Sequence, residues 1–245
     1  MSTELSGRNT GAIWKSPSGL SNPQPGAQGV PGGAAELKGP RCPCVLCLDG
    51  SSSMHGEPIR ELNAGLRQFL DEVWCTTLLR ERLDLAIVRF GDEVQVVRAM
   101  GLLKEETIAP IVANGNTPLG GALQKALAMI GRRQGQYAAK SLPRLMPWLI
   151  VMTDGQPNDG WKEEAWRVQN LANMKELAVL AIGVGRGADM GALQKLCGPD
   201  MPPVRLQGLK FASFFKWLSE SLALSAEAKP GDRLALPAPT GWAEK

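Results

Sequence analysis

The stretch Val45-Leu46-Cys47-Leu48-Asp49-Gly50-Ser51-Ser52-Ser53-Met54 changes character within one residue, from an apolar run to a carboxylate followed by hydroxyls. A strand apolar at nearly every position is covered on both faces, as in the parallel sheet of an α/β domain. Ligands of such sheets bind beyond the carboxyl ends of the strands, which is where Asp49 falls. Alternate residues of an extended segment point the same way, so Asp49, Ser51 and Ser53 can converge on one point. Hard oxygens arranged in this manner suit Mg2+ or a similar divalent ion. Taken alone, the pattern also fits a turn whose hydroxyls bond their own backbone.

Two other stretches answer it. Trp148-Leu149-Ile150-Val151-Met152-Thr153-Asp154-Gly155-Gln156-Pro157 is a second continuous apolar strand that ends in an aspartate followed by glycine. Adjacent parallel strands lie about 4.8 Å apart, so Asp49 and Asp154 are expected as near neighbours that repel unless a cation lies between them. In Asn114-Gly115-Asn116-Thr117-Pro118-Leu119-Gly120-Gly121, threonine before proline reads as a helix N-cap, yet a helix start also presents its hydroxyl above the sheet. Gly120 and Gly121 each weaken a helix by roughly 1 kcal/mol relative to alanine, a cost that close packing against another element would justify.

The whole chain sets the bounds. Its 245 residues are 44% apolar with a formal net charge of +3. That is ample for the core of one α/β domain with tails, and it offers no electrostatic case for nucleic acid or an anionic membrane surface. No apolar run is long enough to span a bilayer. Met1 to Asn9 lacks the charged start and apolar stretch of a secretory signal, so a cytoplasmic location with reduced cysteines is expected. Cys42, Cys44 and Cys47 cluster like metal ligands, but along a strand Cys47 faces away from the other two. Buried apolar packing is the reading preferred for them.

Residues 1–40, rich in glycine, proline and serine, read as a flexible arm with one apolar pair, Ile13-Trp14, in a polar tract. Residues 41–226 read as the folded domain, and 227–245 as a proline-rich tail able to dock through Trp242. Within the domain, Gly56-Glu57-Pro58 opens a helix striped by Ile59, Leu62, Leu66, Phe69, Leu70 and Val73. Leu83 to Phe90 and Val94 to Val97 form an antiparallel hairpin around Gly91-Asp92-Glu93. A helix over Trp161 to Met174 leads to a strand over Leu177 to Val184. A short helix near Met190 to Cys197, a strand near Val204 to Leu206 and a last helix striped by Phe211, Phe214, Phe215, Leu218 and Leu222 complete it. Gly185-Arg186-Gly187 lacks the full glycine pattern and acidic partner of a nucleotide site.

Asp49-x-Ser51-x-Ser53, Thr117 and Thr153-Asp154-Gly155, in this order and spacing, resemble the von Willebrand factor type A domain with its metal-ion-dependent adhesion site. Gly56-Glu57-Pro58-Ile59, Thr117-Pro118-Leu119-Gly120, Thr153 to Pro157, Leu236-Pro237 and Gly241-Trp242 look most like the bacterial tellurium-resistance TerY-like branch. The resemblance implies a Rossmann-like α/β fold, mostly parallel with one antiparallel hairpin strand and helices on both faces. It implies Mg2+ (or Mn2+ or Ca2+) held directly by Ser51, Ser53 and Thr117, with Asp49 and Asp154 acting through water. One coordination position then stays open for an Asp or Glu of a protein partner. The implied protein is a non-enzymatic adaptor in a stress or defence system, alongside a kinase and a phosphatase. The family often has glycine where Ser52 and Asn116 stand, so unusual backbone angles are expected there. His55, the only histidine, is expected to face solvent. Two further readings stand beside the adaptor. One is a metal-dependent hydrolase, for which no paired base is visible. The other is a metal-free scaffold with a degenerate site.

Overall fold

The apolar run that ends at Asp49 is an interior strand of a seven-stranded sheet. In the computed structural model the described residues are 14–15, 40–228 and 236–244, with only the backbone described at 14 and 15. In chain order the elements are β1 (Trp14–Lys15), β2 (Cys42–Asp49), a 3-10 turn (Ser52–Met54), α1 (Glu57–Cys75), α2 (Thr77–Arg82), β3 (Leu83–Phe90), β4 (Val94–Gly101) and β5 (Thr107–Ile108). They continue with α3 (Leu119–Ala139), β6 (Trp148–Thr153), α4 (Lys162–Asn173), β7 (Ala178–Val184), α5 (Met190–Gln194), β8 (Val204–Leu206), α6 (Phe211–Glu227) and β9 (Ala243–Glu244). The sheet order is β4-β3-β2-β6-β7-β8-β9. Strands β2, β3, β6, β7 and β8 are parallel, and β4 and β9 lie antiparallel at the two edges. This is a Rossmann-like α/β fold with helices on both faces.

Alternation along the strands divides the core into two layers. Leu46, Leu48, Ile87, Ile150 and Met152 meet Leu62 and Phe69 of α1 and Phe214 of α6. On the other face Val45, Cys47, Val88 and Val151 meet Leu123 and Ala126 of α3 and Val168 of α4. Cys42 and Cys44 belong to the first layer and Cys47 to the second, all fully buried. Burial pushes the Cys42 and Cys47 thiols up to about 12, so they are neutral core residues rather than thiolate ligands. No helix of the described residues is long and apolar enough to cross a membrane.

Helix α1 begins with Pro58 in its first turn, and its six stripe residues are all buried. It crosses α6 at Gly65, where a Cβ would lie 2.9 Å from the Phe215 ring and 3.0 Å from the Phe211 backbone. The tail returns to this layer. Trp242 is 1% exposed, with its ring 5.1 Å from Phe214 and 5.2 Å from Trp217, centroid to centroid. Its carbonyl accepts from Gln207 N at 2.7 Å, and Trp217 Nε1 donates to Pro237 O at 2.9 Å. Strand β9 so extends the sheet past β8, an antiparallel edge that a two-residue strand among prolines gives no periodicity to reveal. Strand β1 pairs with β5 and is also too short to read from sequence. Ile13 and most of the expected flexible arm lie outside the described residues.

Truncating Trp242 to alanine removes a large buried ring and leaves its cavity. Urea unfolding of Trp242→Ala should show a loss of about 3–5 kcal/mol, with the far-UV circular dichroism of the folded state unchanged.

Candidate metal centre

Asp49, the last residue of β2, is fully buried. Ser51 follows in an extended conformation, and Ser52 to Met54 then wind into the 3-10 turn. The two hydroxyls therefore converge through a turn and not through continued strand alternation, which corrects the sequence expectation. Ser51 N donates to Asp49 Oδ1 at 2.7 Å, and the Ser51 and Ser53 hydroxyl oxygens lie 2.9 Å apart. Ser53 Oγ donates to Asp154 Oδ1 at 2.6 Å. One chain of hydrogen bonds thus joins the carboxylates at the ends of β2 and β6. Thr153 Oγ1 donates to Asp49 Oδ2 and accepts from Gly155 N at 3.2 Å, fixing the orientation of the Asp49 carboxylate.

Thr117 does not cap α3. The helix starts at Leu119, and its free amides at Gly120 and Gly121 donate to the Asp159 carboxylate at 2.9 and 3.0 Å. A Cβ on Gly120 would lie 2.8 Å from Trp161 Cα, so the glycine serves a close approach. Relieved of capping, Thr117 is 6% exposed with its hydroxyl over Gly155. A Cβ at Gly155 would stand 3.1 Å from Thr117 Oγ1 and 3.9 Å from Ser53 Oγ. Asp49, Ser51, Ser53 and Asp154 are hydrogen-bonded together, and Thr117 faces them across the space that Gly155 leaves open.

Two residues missing from the sequence reading hold this geometry. Arg89 on β3 is 5% exposed and donates to Val112 O at 2.7 Å, to Asp92 Oδ1 at 2.8 Å, to Gly50 O at 3.4 Å and to Asn114 Oδ1. It ties the loops after β2 and β3 to the segment that carries Thr117. Asn63 on α1 accepts from Ile111 N at 2.7 Å and donates to Ile111 O at 2.8 Å, pinning the start of the same segment. The only sequence signal for Arg89 is a charge that follows the apolar run Leu85 to Val88 within one strand. The expected unusual backbone at Ser52 and Asn116 does not occur. Among the described non-glycine residues only Ser141 and Lys175 have positive φ. The left-handed position is Gly115, with φ 75°, where a Cβ would lie 2.3 Å from Asp92.

The electrostatics also depart from expectation. Burial is the main cause that raises the carboxyl pKa of Asp49, opposed by bonds from Thr153 and Ser51, and the charge of Asp154 is the smallest contribution. Burial likewise raises Asp154, against the bond from Ser53. Desolvation, more than mutual repulsion, makes this pair costly to ionise. Among the described residues neither carboxylate pairs with a basic side chain, so a cation is the compensation the site lacks. The donors are all oxygen, as hard divalent ions prefer. Neighbouring ligands of an octahedral ion with bonds of about 2.1 Å lie roughly 3 Å apart, and the two serine oxygens have that spacing at 2.9 Å.

A family model of the von Willebrand factor type A domain matches residues 44–209. The chain belongs to this family. It is 25% identical over 162 residues to inter-alpha-trypsin inhibitor heavy chain H1 of Mesocricetus auratus, covering 61% of this chain and 17% of that protein. Proximal thread matrix protein 1 from the mussel byssus shares the fold with a TM-score of 0.55 and 17% identity, over 77% of this chain and 47% of that one. The manganese-loaded TRAP protein of Plasmodium vivax gives 0.51 and 20%, over 73% of each chain. BatB of Bacteroides thetaiotaomicron gives 0.51 and 18%, over 76% of this chain and 100% of that one. The chain therefore spans less than a fifth of the inhibitor chain and about half of the mussel protein. A further structure of the mussel protein has a zinc-occupied MIDAS motif.

Asp49, Ser51, Ser53, Thr117 and Asp154 of this von Willebrand factor type A (VWA) domain fall within the matched span, together with Arg89 and Asn63. Removing the Arg89 donors takes the bonds from Val112 O and from the Asp92 and Asn114 side chains, so Arg89→Met should cost about 1–3 kcal/mol in urea unfolding. The carboxylates give a pH signature without metal. Their folded pKa values are raised, so the native state holds these protons more tightly than the unfolded chain, and stability falls as pH rises through the folded values. Asp49→Asn keeps the shape without the charge. In chelator its melting temperature should exceed that of wild type by a margin that widens as pH rises above about 4 and then levels off.

Proposed function

We propose that this VWA domain is a non-enzymatic, divalent-cation-dependent module that binds a protein partner through an acidic side chain. The observation that carries the reading is the oxygen cluster itself, one buried and one half-buried carboxylate without basic partners among the described residues, joined through serine hydroxyls at ligand spacing. Ser51, Ser53 and Thr117 would hold the ion directly. Asp49 and Asp154 would orient its waters and balance its charge. When bound, Mg2+ or Mn2+ supplies a strongly polarising charge that attracts an incoming carboxylate. Thr153 holds Asp49, Gly155 keeps the approach clear, and Arg89 with Asn63 keeps Thr117 over the site.

A hydrolytic reading finds no support at the cluster. Ser51 and Ser53 bond to each other and to Asp154, and His55, the only histidine, is exposed. The motifs around Gly56, Thr117, Gly155 and Trp242 favour the TerY-like, tellurium-resistance branch. That placement implies an adaptor working with a kinase and a phosphatase. Five free thiols suit a reducing compartment such as the cytoplasm.

Calorimetric titration of Mg2+ and Mn2+, with melting temperature followed in parallel, tests the reading. Wild type should bind and be stabilised, whereas Asp49→Ala and Ser51→Ala should show neither effect while remaining folded. Thr153→Val removes the bond that orients Asp49 and should weaken metal binding by about 10- to 100-fold. Partner capture should disappear in EDTA, and capture at undiminished affinity in EDTA would refute the proposal.

A further inference from the structure

Five loops surround the cluster, residues 50–56, 91–93, 112–118, 154–161 and 185–189, and Arg186 is the sole lysine or arginine in them. Their carboxylates outside the cluster are largely committed. Asp159 caps α3, Asp189 accepts from Ala192 N at 2.9 Å, and Asp92 is held by Arg89 and Asn114. Glu93 is exposed beside the Arg89-paired Asp92, so the rim next to β3 and β4 carries one uncompensated negative charge among the described residues. Arg186 stands on the opposite side, after β7. Its loop is fixed at both ends. Gly185, with φ 69°, has its carbonyl bonded by Arg205 Nη1, and Gly187 packs so that a Cβ would lie 3.4 Å from the Asp154 carbonyl oxygen. Because β6 and β7 are adjacent and in register at Thr153 and Gly183, the loop that carries Arg186 leaves the sheet beside the loop that carries Asp154. Its side chain is exposed and, among the described residues, has no hydrogen-bond or ion-pair partner.

We infer that Arg186 is a specificity-determining residue that reads a second carboxylate of the partner, next to the one drawn to the metal. The inference rests on the metal-dependent reading above. An acidic partner is repelled on the side of Glu93, where Asp92 is already paired with Arg89, and attracted on the Arg186 side, which fixes its orientation across the site. The matching ligand is a segment with two nearby acidic residues, not one isolated carboxylate. An unpaired arginine on a loop tied at both ends also suits the planar, two-point geometry of carboxylate recognition.

The test is an NMR shift titration of the full chain in saturating Mg2+ with two capped peptides, one carrying a single aspartate and one carrying a second aspartate two positions on. Two equivalent aspartates alone give a twofold statistical advantage, and an exposed ion pair multiplies it by about two to five. Wild type should therefore prefer the second peptide by about four- to tenfold. Arg186→Gln should fall to the statistical factor, Arg186→Lys should keep part of the preference, and salt near 1 M should bring wild type down to the same statistical factor. Mg2+ affinity and melting temperature should be the same in all three proteins, which a merely structural role would not produce. Metal-dependent binding with the same preference in wild type and Arg186→Gln overturns this inference and leaves the metal-dependent module standing. Absence of Mg2+-dependent binding of either peptide overturns both.

Discussion

The constraint on which the rest of this protein depends is the desolvation of two carboxylates at neighbouring strand ends that, among the described residues, have no basic side chain paired with either. Asp49 is fully buried and Asp154 half-buried, and desolvation raises both pKa values. A group that costs free energy when ionised persists in a fold when something bound offsets the cost. The surrounding residues fit that requirement. Hydroxyls of Ser51, Ser53 and Thr153 bond to one another or to the carboxylates, so the cluster keeps its shape before any ion arrives.

Preorganisation of this kind needs loops that do not move independently. The segment carrying Thr117 is long and contains no regular structure of its own between β5 and α3. Arg89 and Asn63 hold it from opposite sides, one from the sheet and one from α1. Glycines allow the contact to be this close. A Cβ at Gly50 would lie 2.6 Å from Val112 O, and one at Gly91 would lie 2.6 Å from Asn114 O. The loops around the site therefore nest backbone on backbone, and a shift in one is transmitted to the others.

The two-layer core performs the complementary task of holding β2 and β6 side by side. Their residues alternate between the α1 and α6 layer and the α3 and α4 layer, so a slip in register would exchange the two hydrophobic faces and displace Asp49 from Asp154. The first layer is completed by the tail, whose Trp242 fills space between α6 and the sheet edge. The folded unit thus includes residues that follow the matched family span.

By itself the sequence determined the parallel strands, the striped helices and the hairpin at Gly91-Asp92-Glu93, and it singled out Asp49, Ser51, Ser53, Thr117 and Asp154, which the fold brings together. Those features are local. A buried strand is a run of apolar residues, an amphipathic helix repeats every three to four, and a strand end is marked where the run stops at a carboxylate. The tertiary structure alone decided that Asp159 caps α3 from 39 residues away, that Arg89 joins three loops, that Gly155 leaves open the space between Thr117 and Ser53, and that the docking tryptophan of the tail packs on Phe214 and Trp217. Each of these is a contact between residues distant in the chain. Such contacts leave no periodic trace, and an isolated arginine, asparagine or tryptophan looks the same in sequence whether it braces a site or faces water.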